Sequence, residues 1–98
     1  MKPAVDIPQA EIETFCKRHH IRRLALFGSV LRDDFSPDSD VDVLVEYEEG
    51  AVVTLLDMAG QEIELGELTG YKIDLRTAQD LSRYFRQQVV DTAVPVYE

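Results

Sequence analysis

Asp40 and Asp42 open the run "DVDVLVEY" (residues 40–47), which otherwise reads as a strand made for burial. On a strand, residues two apart project from the same face, so Asp40, Asp42 and Leu44 share one side while Val41, Val43 and Val45 share the other. Two carboxylates side by side repel, which would destabilise the fold or draw protons onto them. A divalent cation removes the problem. An all-oxygen donor set favours Mg²⁺, which takes one or two carboxylates and completes its shell with water and substrate phosphate. Asp74, in "YKIDLRT", joins the same polar face if that third strand lies beside the second. Three carboxylates could then hold two ions about 4 Å apart, an arrangement that serves phosphoryl or nucleotidyl transfer.

A bare D-x-D on a half-exposed strand more often simply faces water. The residues upstream shift the balance. Gly28-Ser29 stands where "RRLALF" gives way to a helical turn, so the Ser29 hydroxyl and free backbone N–H groups can hold a terminal phosphate. Arg32, one turn further, could reach the same phosphates. Gly-Ser alone is common in turns, but strand, Gly-Ser, ten residues, D-x-D on a second strand and Asp on a third form a specific constellation.

These residues need elements to position them. Ile12, Phe15 and Cys16 have the spacing of one helix face, and the basic end "KRHHIRR" suits a helix C-terminus, so a first helix is expected from Pro8 to about Arg18. "RRLALF" reads as a first strand, "SVLRDD" as a helical turn, and "SPDS" as a β-turn with Pro37 at its favoured second position. A second helix is expected from Thr54 as N-cap to Thr69, with Leu55, Leu56, Ala59 and Ile63 as its apolar stripe and Gly70 ending it. In "YKIDLRT", Ile73 and Leu75 alternate with Lys72, Asp74 and Arg76. "AQDLSRYFRQQVVDTA" reads as one last helix and "VPVY" as a short edge strand, where Pro95 is tolerated.

Ninety-eight residues, 45% of them hydrophobic, suffice for a single α/β domain spanning 1–98 and leave no room for a second. The net charge of −9 argues against direct nucleic-acid binding and suits a basic partner protein. The apolar runs "AVVTLL" and "VDVLV" are far too short to span a membrane, and the acids in "MKPAVDIPQAEIE" do not fit a signal peptide, which predicts a cytoplasmic protein. Cys16 reads as core and the His19–His20 pair as a solvated helix end, because one Cys and two His do not make a zinc set.

The segment "GSVLRDDFSPDSDVDVLV", the third-strand "KIDL" and the length resemble the minimal nucleotidyltransferases of the DNA polymerase beta superfamily, over residues 22–97 at least. The resemblance implies an α/β (α+β) fold, a mixed β-sheet of three to four strands flanked by helices. It implies that Gly28 and Ser29 grip nucleotide phosphates, with Arg32 beside them, and that Asp40, Asp42 and Asp74 are the catalytic ligands of two Mg²⁺ ions. Two positions depart from the common pattern: Asp33 where a Gly often follows the Arg, and Leu31 where a small residue is usual. Free-standing members of this size resemble the antitoxin (MNT) half of toxin–antitoxin pairs whose other half is a helical HEPN ribonuclease. That likeness implies transfer of AMP from ATP to a tyrosine of the toxin. Two rival readings stand beside it: an antitoxin that neutralises by binding alone, and a transferase acting on a small-molecule or nucleic-acid hydroxyl. Lys72 fits a surface ion pair better than a catalytic role.

Overall fold

A computed structural model describes residues 7–32, 36 and 38–98. Helix α1 spans Gln9–Arg18, strand β1 Ile21–Phe27, a 3₁₀ turn Gly28–Leu31, β2 Val41–Tyr47, α2 Leu55–Thr69 and β3 Ile73–Arg76. A second 3₁₀ turn at Ala78–Asp80, helix α3 at Arg86–Thr92 and strand β4 at Val94–Tyr97 complete the chain. The four strands form one mixed sheet in the order β3-β2-β1-β4. β1 pairs antiparallel with both β2 and β4, whereas β2 and β3 run parallel and are joined by α2. A parallel pair needs such a crossover, which is why the helix lies between two strands that share a direction.

Alternation along the strands gives the sheet two different faces. Val41, Val43 and Val45 of β2, Leu24 and Leu26 of β1, and Ile73 and Leu75 of β3 join Ile12, Phe15 and Cys16 of α1 and Leu65 of α2 in the main core. The other face carries a smaller cluster of Ala25, Leu44, Leu81 and Ala93, with Val89 and Val90 of α3 packed against it. Asp42 and Asp74 belong by parity to this second face. β4 is an edge strand, as "VPVY" suggests, and Pro95 lies opposite Ala25 there.

Three local expectations are corrected. Helix α2 starts and stops as its sequence suggests: Thr54 Oγ1 accepts from the Asp57 N–H at 3.1 Å, Asp57 Oδ2 accepts from the Thr54 N–H at 3.0 Å, and Gly70 closes the helix at φ 79°. Its buried side, however, is Gln61 and Leu65, with Met58 and Leu68 packed on the core. Leu55, Leu56 and Ile63 face outward, 84%, 82% and 66% exposed. The helix can bury this side because the Tyr47 hydroxyl donates to Gln61 Oε1 at 2.6 Å, so a polar residue sits in the core without an unmet bond.

The last helix is not continuous from Ala78. It breaks after one 3₁₀ turn, and Leu81 takes extended backbone angles as it enters the second core. Ser82 restarts the chain: its hydroxyl accepts from the Tyr84 N–H at 3.3 Å and its carbonyl from the Arg86 N–H at 2.9 Å. Arg86 Nη2 in turn donates to the Leu81 carbonyl at 3.0 Å, satisfying an acceptor the break would otherwise leave open. His19, finally, is no solvated end. Its ring lies 4.7 Å from that of Phe15 and its Nε2 3.0 Å from Glu64 Oε1, while only His20, at φ 57°, is exposed. Cys16 is fully buried, and burial pushes its thiol up to about 12, which fits the core role expected. No helix among the described residues is long and apolar enough to cross a membrane.

Candidate functional site

Pairing register brings the sequence constellation to one end of the sheet. β1 runs toward this end and β2 leaves from it, so Phe27, the last residue of β1, lies opposite Asp42 near the start of β2. β3 begins at the same end, and its register sets Asp74 directly beside Asp42. The condition under which Asp74 joins the carboxylates of β2 is therefore met. Like charges directly opposite one another on neighbouring strands are destabilising unless something offsets them.

The turn after β1 closes onto the same carboxylate. Gly28 takes φ 75°, a left-handed value that a residue with a Cβ rarely adopts. A Cβ built there would lie 2.3 Å from Asp42 Oδ2, so any side chain would also push that carboxylate out of place. The Ser29 backbone lies near enough to the Asp42 carboxylate to favour its charged form weakly, and the Arg32 N–H donates to the Ser29 carbonyl at 3.0 Å to close the turn. Ser29 and Asp42 are thus held together by the local fold. Arg32 lies exposed one turn on; Asp33 and Pro37 are outside the described residues.

Burial is the largest cause that raises the Asp42 carboxyl above its ordinary value, followed by the charge of Asp74 and then, more weakly, that of Asp40. Arg76 and the Ser29 backbone act in the opposite sense. Asp40, just ahead of β2, is exposed and lies 3.9 Å from Lys72 Nζ, itself 82% exposed, which agrees with a surface ion pair for Lys72. Among the described residues no three His, Cys, Asp or Glu side chains converge closely enough to hold a metal ion. The three aspartates share a sheet end, and Asp42 and Asp74 form the close pair within it.

One residue near the pair carries more than its sequence context suggested. Arg76 presents a fork to Asp74, Nε to Oδ1 at 3.1 Å and Nη2 to Oδ2 at 3.3 Å. The signal was the spacing: Asp74 and Arg76 stand two apart, like Asp40 and Asp42, and so share a face. Glu62 of α2 also serves this strand, since its Oε2 accepts from the Leu75 N–H at 2.8 Å on the outer edge of β3. That bond ties the strand bearing Asp74 to the helix and covers a donor that an edge strand leaves open.

This mixed sheet, with a glycine-serine turn closing on an acid pair, has the layout of an enzyme that handles phosphates. The nucleotidyltransferase domain family matches residues 10–96, and the chain belongs to it. It is similar to the protein adenylyltransferase MntA of Thermococcus cleftensis, at 34% identity over 80 residues that cover 82% of this chain and 79% of that protein. A solved minimal nucleotidyltransferase superposes with a TM-score of 0.72 at 38% identity, covering 89% of this chain and 87% of the other. A toxin–antitoxin crystal structure with AMP-PNP gives the same TM-score of 0.72 at 18% identity, covering 93% and 73%, which shows a common fold.

Proposed function

We propose that this nucleotidyltransferase is the antitoxin of a HEPN/MNT pair and that it transfers AMP from ATP to a tyrosine of its cytoplasmic HEPN ribonuclease toxin. The observation that carries this reading is the closure of the Gly28–Ser29 turn on Asp42 beside Asp74, which sets a phosphate grip against an acid pair. A relative named as a protein adenylyltransferase and a neighbour of the same fold bound to an ATP analogue in a toxin–antitoxin complex support it. The net charge of −9 suits a basic partner.

The donor set fits Mg²⁺. It is all oxygen, and the half-buried Asp42 carboxyl is raised in part by its acidic neighbours, so added positive charge would be welcome there. The Asp42–Asp74 pair would offer the ligands, and Asp40 would have to turn in from the same sheet end to complete a set for two Mg²⁺ ions, whose charge would favour the ionised tyrosine and the departing pyrophosphate. The residues of the chain do the rest. Gly28 lets the backbone come close to the triphosphate, the Ser29 hydroxyl donates to it, and Arg32 adds positive charge. The tyrosine oxygen attacks the α-phosphorus in line, the bond to pyrophosphate breaks, and Asp74 would accept the tyrosine proton once an oxygen is released from the Arg76 fork. AMP ends on the tyrosine.

The test separates transfer from covering. Binding spreads over many residues, whereas transfer depends on a charge constellation that no neighbour replaces. Asp40→Asn combined with Asp42→Asn keeps shape and removes two charges. Intact-mass spectrometry of the co-expressed toxin should show AMP adducts with the wild type and none with the double variant, while the complex persists. A toxin without adduct in both cases, yet silenced in both, would replace transfer by an antitoxin that acts by binding alone.

A further inference from the structure

The Arg76 fork occupies both oxygens of Asp74. Asp74 sits directly opposite Asp42, so the guanidinium offsets a like-charge contact that the sheet register imposes. Arg76 also lies in the field of Asp42 and of Asp80, whose Oδ2 accepts from the Thr77 N–H at 3.1 Å just beyond the end of β3. A cation that leaves Asp74 therefore has a second carboxylate close to the same strand end. The side chain is 47% exposed, which leaves the guanidinium open to solvent on the side where it would exchange.

We propose that Arg76 is a built-in cation that competes with the divalent metal for Asp74. This rests on the metal-site reading given above. Without metal, the fork holds the Asp42–Asp74 pair together and keeps the fold from paying for their repulsion. With metal, at least one oxygen of Asp74 must exchange an Arg76 N–H for the ion. The guanidinium then turns toward Asp80. Arg76 acts through Asp74 and is a positioning residue. Its presence lowers resting metal affinity, so that metal accumulates at the site mainly when nucleotide phosphates bring further oxygen ligands.

Removing the competitor should strengthen metal binding while weakening the metal-free fold, a pair of opposite effects that a purely structural role does not produce. The experiment is a Mn²⁺ titration of the full chain without nucleotide, following free Mn²⁺ by its electron paramagnetic resonance signal, with melting temperatures measured with and without the ion. Arg76→Gln should bind Mn²⁺ tighter by roughly three- to tenfold, the scale of a lost partly exposed charge-assisted fork. It should also melt lower than wild type without metal and gain more from metal. Arg76→Lys keeps the charge without the fork and should fall between them. Equal or weaker Mn²⁺ binding by Arg76→Gln overturns the proposal and leaves the metal site standing. No Mn²⁺ binding by either protein overturns both.

Discussion

A methyl group on Gly28 would have to share space with Asp42 Oδ2, and the residue would have to hold φ 75° as well. Gly70 offers a control, because it takes φ 79° with nothing within 4 Å of a built Cβ. Gly70→Ala should cost about 1 kcal/mol for the left-handed backbone alone. Gly28→Ala should cost on the order of 2 kcal/mol or more, and it should abolish transfer if, as proposed, the displaced Asp42 carboxylate serves the reaction. Chemical denaturation of both variants with adenylylation assays checks this; equal loss in the two would remove the close contact from the account. Asp42 itself gives a pH signature. Its folded pKa lies above the unfolded value, so across that window the folded state holds more proton than the unfolded one. The stabilising share of this group is therefore complete below the unfolded value, 3.8 for the free carboxyl, and is lost as pH rises through the raised folded value. Metal-free Asp42→Asn lacks that loss. Its melting temperature relative to wild type should climb from acid toward neutral pH, and a difference that stays flat would deny Asp42 the strained environment described here.

At the scale of elements, α2 shows both what the sequence reveals and what it hides. Its ends are chemical: a Thr-x-x-Asp pair that bonds reciprocally and a glycine that closes the last turn are local signals readable one residue at a time. Its buried side is not local. Leu55, Leu56, Ala59 and Ile63 look like the better stripe, yet the side with Leu65 and Gln61 is inside, where Tyr47 of β2 supplies the glutamine's partner. The same reasoning applies to the site. Asp40 and Asp42 were legible as one strand face and Gly28-Ser29 as a turn because spacing alone fixes these, whereas Asp74 joins them only through the β2–β3 pairing. For Arg76 spacing gave only the shared face with Asp74; its weight comes from the β2–β3 register that sets Asp42 opposite Asp74. Truncations should rank accordingly. Leu65→Ala should cost about 2–5 kcal/mol as a core cavity, and Leu56→Ala within about 0.5 kcal/mol as a surface change. Thr54→Ala should cost about 1 kcal/mol through the lost cap. Equal costs for Leu56 and Leu65 would mean that the helix presents its other side to the sheet.

For the molecule as a whole, nineteen acidic side chains against ten Lys and Arg must shape both stability and encounter. Several of the basic residues are already engaged by acids: Arg18 with Glu64, Arg22 with Glu46, Lys72 with Asp40 and Arg76 with Asp74. The surplus is thus a field of one sign, which repels within the free chain and attracts a basic partner. Salt screens both effects, with a screening length of about 10 Å at 0.1 M and 3 Å at 1 M. The two consequences run in opposite directions. Raising NaCl from about 0.02 to 0.5 M should raise the melting temperature of the isolated chain, because self-repulsion fades. The same change should slow association with the proposed toxin partner by roughly 10- to 100-fold while altering dissociation far less, because long-range steering acts on encounter and short-range packing on release. Stopped-flow association and surface-based dissociation on one preparation, read beside thermal melts in the same buffers, test the pair together. If association proved indifferent to salt while the melts shifted as expected, the negative surface would be a matter of the chain's own solubility, and partner choice would rest on packed contacts instead.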